Sequence, residues 1–227
     1  MQHFNIAIDG PAGAGKSTIA KAAAARLGFV YVDTGAMYRA MALYMLKSGV
    51  QLSEEPEIAA ACRKADITIR YVDGRQQVWL NGEDVSDQIR TEEAGNLASR
   101  ISVYLPVREK LVELQQQLAK QADVIMDGRD IGTCVLPDAQ AKIYLTASSR
   151  VRAQRRFKEL AEKGQDCDLE EIEKDIIDRD YRDMHREHSP LRQAEDAVYL
   201  DTSKLSLEEV VSQVIAIARE RGLKVEG

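Results

Sequence analysis

The stretch Gly10-Pro11-Ala12-Gly13-Ala14-Gly15-Lys16-Ser17 carries the pattern G-x-x-x-x-G-K-[ST] in full. Glycines at these spacings let the backbone turn its N–H groups toward one point, and a helix opening at Lys16 adds the positive end of its dipole. Such a loop cradles a polyphosphate. Lys16 can reach the outer phosphates and the Ser17 hydroxyl can ligate a divalent cation, with Thr18 next in the chain. A chance glycine-rich turn is the alternative. The context speaks against it, because Phe4–Asp9 reads as a strand and Lys16–Leu27, closed by Gly28, as a helix.

A phosphate loop alone does not separate a phosphotransferase from a nucleotide switch or an ATPase. Neither Asn-Lys-x-Asp nor a D-x-x-G switch motif occurs in the chain. Arginines instead fall just after other strand-like runs, where a doubly wound sheet opens its ligand crevice. In Asp33-Thr34-Gly35-Ala36-Met37-Tyr38-Arg39, Thr34 suits a helix N-cap and Arg39 falls in the second turn; a plain cap with a surface arginine stays open. In Asp127-Gly-Arg-Asp-Ile-Gly-Thr133, two glycines flank Arg129 and Asp130, and a turn with a surface ion pair is the alternative. Arg150, Arg152, Arg155 and Arg156 form a helical pattern in which Arg152 and Arg156 share a face. Arg179, Asp183 and Arg186 share another, with Asp180 and Arg182 beside it. A mixed-charge helix is by default a solvated surface. Group transfer between two polyanions changes that weighting, since it needs guanidinium forks around the moving oxygens.

These side chains need a frame. Phe29–Val32, Val124–Met126, Lys142–Leu145 and Ala197–Leu200 read as further buried parallel strands. Helical spacing places Val107, Leu111, Leu114 and Leu118 on one core face, and Leu207, Val210, Val214 and Ile217 on another. Between Ile67 and Val85 the rhythm changes to alternation, with turn signals at Asp73-Gly74 and Asn81-Gly82, so an antiparallel meander is expected as an insertion on an α/β core. The chain has 227 residues and a net charge of −6, which argues against a duplex-DNA or membrane-surface footprint. Cys62, Cys134 and Cys167 lack disulfide or zinc spacing. No leader pattern opens the chain and no apolar run nears the ~18 residues of a membrane span. A cytoplasmic, unprocessed, monomeric protein is expected, with neither nucleic acid nor membrane as partner.

Together these motifs, with Arg90-Thr91-Glu92, Ala98-Ser99 and Pro106-Val107-Arg108, resemble the bacterial cytidylate kinases from the first strand to the last helix. The resemblance implies a P-loop three-layer α/β sandwich with a five-stranded parallel sheet, an insertion containing the meander, and a helical lid. The core would span about 1–35, 104–148 and 188–227, the monophosphate-binding region 36–103 with the meander at 66–86, and the lid 149–187. ATP would lie on Gly10 to Thr18, with Mg²⁺ on Ser17. The pattern implies that CMP or dCMP meets Ser99, Arg108 and Asp130 with its base, Arg179 and Asp183 with its ribose, and Arg39, Arg129 and Arg186 with its phosphate. Thr34 would stand close by, where many relatives carry Ser. Lys16, Arg39, Arg129, Arg186 and the lid residues Arg152 and Arg156 would carry the transfer, with Arg155 also in the lid.

The base chemistry can be checked against these residue types. Cytosine offers an amine donor with O2 and N3 acceptors, which a carboxylate or hydroxyl and an arginine complement. The acceptor oxygen is already anionic at neutral pH, so no general base is required. The sequence does not identify the carboxylate that assists the metal; Asp9 and Asp33 are candidates by position only. A small-molecule kinase of the shikimate or gluconate type would instead use Asp33 or Asp130 as a base, and a non-enzymatic nucleotide switch is the reading from another class.

Overall fold

The computed structural model describes residues 3–224 apart from Ser53 and Asp73, with the Glu92 side chain also outside it. In chain order the elements are β1 (Asn5–Asp9), α1 (Lys16–Leu27), β2 (Val30–Asp33), α2 (Thr34–Lys47), α3 (Glu55–Lys64), β3 (Ile67–Val72), β4 (Arg75–Leu80) and β5 (Glu83–Asp84). There follow α4 (Glu92–Ile101), α5 (Leu105–Ala119), β6 (Val124–Gly128), β7 (Ala141–Thr146), α6 (Ser149–Glu162), α7 (Leu169–His185), β8 (Val198–Asp201) and α8 (Leu207–Glu220). The chain forms two compact units, one of Met1–Tyr31 with Ala122–Gly227 and the other of Val32–Gln121. The second unit therefore takes α5 along with the meander, and α6 and α7 belong to the first. No helix among the described residues is long and apolar enough to cross a membrane.

The large sheet has the order β2-β6-β1-β7-β8, and the pairs β1–β6, β1–β7 and β7–β8 are parallel. Central β1 is covered on both faces, so Ile6, Ala7 and Ile8 form an unbroken apolar run with no exposed surface. Its register sets Asp9 beside Gly128 of β6 and beside Tyr144 of β7. The phosphate loop and the Arg129 loop thus leave neighbouring strands at the same edge, which is where such sheets bind ligands. Alanines on α1 (Ala20, Ala23, Ala24) let that helix lie close to the sheet and to Val210, Val211 and Val214 of α8. Gly28 ends α1 in the left-handed region at φ 68°, its N–H donating to Ala24 O. Ser206 and Glu209 form a reciprocal capping box on α8. Leu207, expected in the core, is half exposed in the first turn of α8.

In the second unit β3, β4 and β5 form the expected antiparallel meander, with Ile69 opposite Val78 and Leu80 opposite Glu83. The Asn81-Gly82 turn places both residues at positive φ, 49° and 82°, as a tight hairpin connection demands. At the other expected turn Asp73 lies outside the described residues, and Gly74 has φ 70°. The core face of α5 is Val107, Leu111, Gln115 and Ala119, spaced by four residues, with Arg108 buried beside Val107. Leu114 and Leu118 are only half-buried. Val107 and Leu111 lie on this face as expected, but beyond Leu111 it shifts by one position from the predicted stripe, because burial of polar Gln115 leaves no mark in an apolar pattern.

Candidate active site

The phosphate loop is fixed by steric necessity. A Cβ on Gly10, whose φ is 150°, would sit 1.9 Å from the carbonyl oxygen of Leu145, so no other residue fits there. Lys16 opens α1 from a glycine N-cap and is buried, its Nζ donating to Pro11 O at 2.8 Å. Burial, and then the Arg129 guanidinium, pull its pKa down to about 7, while Asp127 and Asp9 oppose that shift. An ammonium so placed gains strongly from an arriving anion. Ser17 Oγ donates to Asp127 Oδ2 at 2.9 Å, and the Tyr31 hydroxyl donates to Asp127 Oδ1 at 2.9 Å.

The two candidate metal-side carboxylates, Asp9 and Asp33, make structural contacts. Asp9 accepts the backbone N–H groups of Ile131 and Gly132. Asp33 caps α2 by accepting from Ala36 N at 2.9 Å and pairs with Arg39 at 3.1 Å. The N-cap of α2 is therefore Asp33 and not Thr34, which is the first helical residue and is buried. The carboxylate against Ser17 is Asp127. Its signal in the sequence was its place at the end of a strand beside the loop strand, but Asp9 and Asp33 shared that signal. Ser17 and Asp127 together present two hard oxygen groups, a set that suits Mg²⁺ held mostly by phosphates and water.

Around the Arg129 loop, carboxylates hold the arginines in place. Arg129 Nε donates to Asp183 at 2.9 Å, and Arg186, almost fully buried, lies 3.5 Å from Asp130 while its Nε donates to Ser189 O. Burial pushes the Asp183 carboxyl up, but Arg129, Arg179 and Arg186 outweigh it and hold the pKa below the ordinary value. The side chains Arg129, Asp130, Arg179, Asp183 and Arg186, read from two separate motifs, thus share one neighbourhood. On α6, Arg152 is buried, with one nitrogen donating to Ala12 O of the phosphate loop at 2.9 Å and another bound to Asp180. Arg155 reaches Thr202, with a nitrogen 2.9 Å from its carbonyl oxygen. Arg156 turns the other way, pairing with Glu159 at 3.1 Å with its side chain 39% exposed. Sequence spacing gave Arg152 and Arg156 one face; the packing of α6 on α7 separates them.

In the second unit Arg39 keeps a buried Nε without a hydrogen-bond partner, beside its ion pair to Asp33. Gln76 of β4 ties the start of α2 by accepting the Asp33 N–H at 2.8 Å, a positioning contact absent from the sequence reading. Ser99 and Arg108 converge at the end of α4: Arg108 lies 3.5 Å from Ser102 O, and Ser102 Oγ donates to Ser99 O at 2.8 Å.

The model of the family described as "Cytidylate kinase" matches residues 6–220. The chain belongs to the cytidylate kinase family. The family's curated member from Caldicellulosiruptor bescii is 52% identical over 217 residues, covering 96% of each chain. Another, from Streptococcus pneumoniae strain 70585, is 50% identical over 222 residues, 97% of this chain and 100% of that one. Among solved structures, an uncharacterized protein from Eubacterium ventriosum superposes with a TM-score of 0.52 at 10% identity, covering 96% of this chain and 99% of that one; it shares the fold alone.

Proposed function

We propose that the chain transfers the γ-phosphoryl group of ATP to CMP or dCMP, giving ADP and CDP or dCDP. The carrying observation is the family match over residues 6–220, which spans the phosphate loop and every arginine motif at once. A sugar- or shikimate-type kinase is disfavoured by the same match. A nucleotide switch would not need five charged side chains grouped beside the Arg129 loop.

The loop from Gly10 to Thr18 holds the ATP phosphates, with Lys16 drawn from Pro11 O to the β and γ oxygens. Ser17, its hydroxyl oriented by Asp127, would hold Mg²⁺, which would supply charge neutralisation on the same oxygens. Arg39, Arg129 and Arg186 hold the acceptor phosphate, which needs no general base because its attacking oxygen is already anionic. Arg179 and Asp183 take the ribose. Arg152 steadies the loop, and Arg156 would have to leave Glu159 to reach the transferring group on lid closure. Asp130, Ser99 and Arg108 read the base, and Thr34 lines the phosphate end. Uracil would set a carbonyl against an acceptor, at a cost of ~1–3 kcal/mol. One chain supplies all these groups, so a monomer suffices.

The test is ADP release with ATP and Mg²⁺ across CMP, dCMP, UMP, AMP, GMP and dTMP. Turnover led by CMP and dCMP is expected; equal kcat/KM for CMP and UMP would overturn the assignment.

A further inference from the structure

Asp9 takes no part in the transfer described above, yet it stands at the seam of the two phosphate-side loops. It is the last residue of β1, so the chain passes from it straight into Gly10. Its two carboxylate oxygens are committed elsewhere: Oδ1 accepts from Ile131 N at 2.7 Å and Oδ2 from Gly132 N at 2.7 Å. Those N–H groups open the single wide turn Ile131–Val135, and the start of a helical turn leaves such donors without internal partners. Asp130, the residue in the capping position, makes no side-chain cap of its own. The cap therefore comes from the neighbouring strand, and the two residues just before the capped N–H groups are Arg129 and Asp130.

The fit around this contact is close. A Cβ on Gly132 would lie 3.3 Å from Asp9 Oδ2 and 3.1 Å from Lys142 Cδ. Lys142, buried on β7, anchors the region after the turn through Pro137 O and a 3.0 Å bond to Asp196. Burial raises the Asp9 pKa to about 7, the two N–H groups lower it, and the Asp130 charge raises it again.

We infer that Asp9 is a positioning residue for the acceptor side: its carboxylate fixes the backbone that presents Arg129 and Asp130, on the same strand that launches the ATP loop. This rests on the reading of CMP as acceptor. An amide at this position would turn an N–H₂ toward one of the two backbone donors, releasing the turn while leaving Gly10 to Ser17 in sequence intact. The consequence is a split between the two substrates, which general destabilisation would not produce.

Calorimetric titration of Asp9→Asn with CMP and separately with ATP checks this, next to steady-state kinetics. CMP affinity should fall roughly 30-fold, the size expected for losing a charged hydrogen bond, with ATP affinity within about 2-fold. Should Asp9→Asn not fold, Gly132→Ala presses the same contact from the other side and should show the same split. Equal losses for ATP and CMP, or no loss for CMP, would overturn the inference. Wild-type protein that fails to bind CMP would instead remove the acceptor assignment on which it rests.

Discussion

The phosphate loop and the Arg129 loop with its arginine cluster leave adjacent strands but are built from different materials. The loop is a backbone device. Its grip comes from N–H groups and a helix start, and its residue types are forced, as the 1.9 Å approach to Leu145 O at Gly10 makes plain. The cluster is a side-chain device, in which Arg129 leans on Asp183 and Arg186 on Asp130. A backbone site tolerates almost no change of residue but binds any polyphosphate. A side-chain site can be retuned one residue at a time, and the proposed function places the choice of acceptor there.

Three variations probe that contrast, in order of expected effect. Arg129→Ala should lower kcat/KM for CMP by roughly 10²- to 10³-fold with the circular-dichroism spectrum unchanged, because a preorganised cation is lost from the acceptor phosphate. A near-wild-type rate would take Arg129 out of the site. Gly10→Ala should raise KM for ATP at least about 10²-fold, since a small misplacement of the loop is amplified in catalysis. If CMP were affected more than ATP, the separation of the two regions would be wrong. The smallest effect is protonic. Lys16 sits near pKa 7 in the free protein, below its ordinary 10.5, and an ATP phosphate would restore the charged form. ATP binding at pH 8 should therefore take up protons, visible as a dependence of the apparent binding enthalpy on the buffer's ionisation enthalpy. Proton release would contradict this role. The same depression means the free fold binds fewer protons than the unfolded chain between about pH 7 and 10.5, so this group's burial penalty fades as pH rises through that window.

How much of this was legible in the sequence follows from the same contrast. The strands, α1 with its glycine stop, the meander and the phosphate loop could be read because each rests on local rules of period, turn and backbone freedom. Arg129, Asp130, Asp183 and Arg186 could be named, but not their pairing, since residues 54 positions apart meet only through the sheet and α7. Asp127 was passed over for Asp9 and Asp33 because three carboxylates end three strands, and nothing local says which faces Ser17. The shift of the α5 face beyond Leu111 was hidden for a different reason: Gln115 is a buried polar residue that an apolar pattern assigns to water.

The central claim is that the acceptor side chooses cytosine. A competition assay with equal CMP and UMP, excess ATP and Mg²⁺, read as the CDP-to-UDP ratio by chromatography, measures it directly. A single mispaired group at the base predicts CDP in excess by about 10-fold or more. A ratio near one would contradict the account.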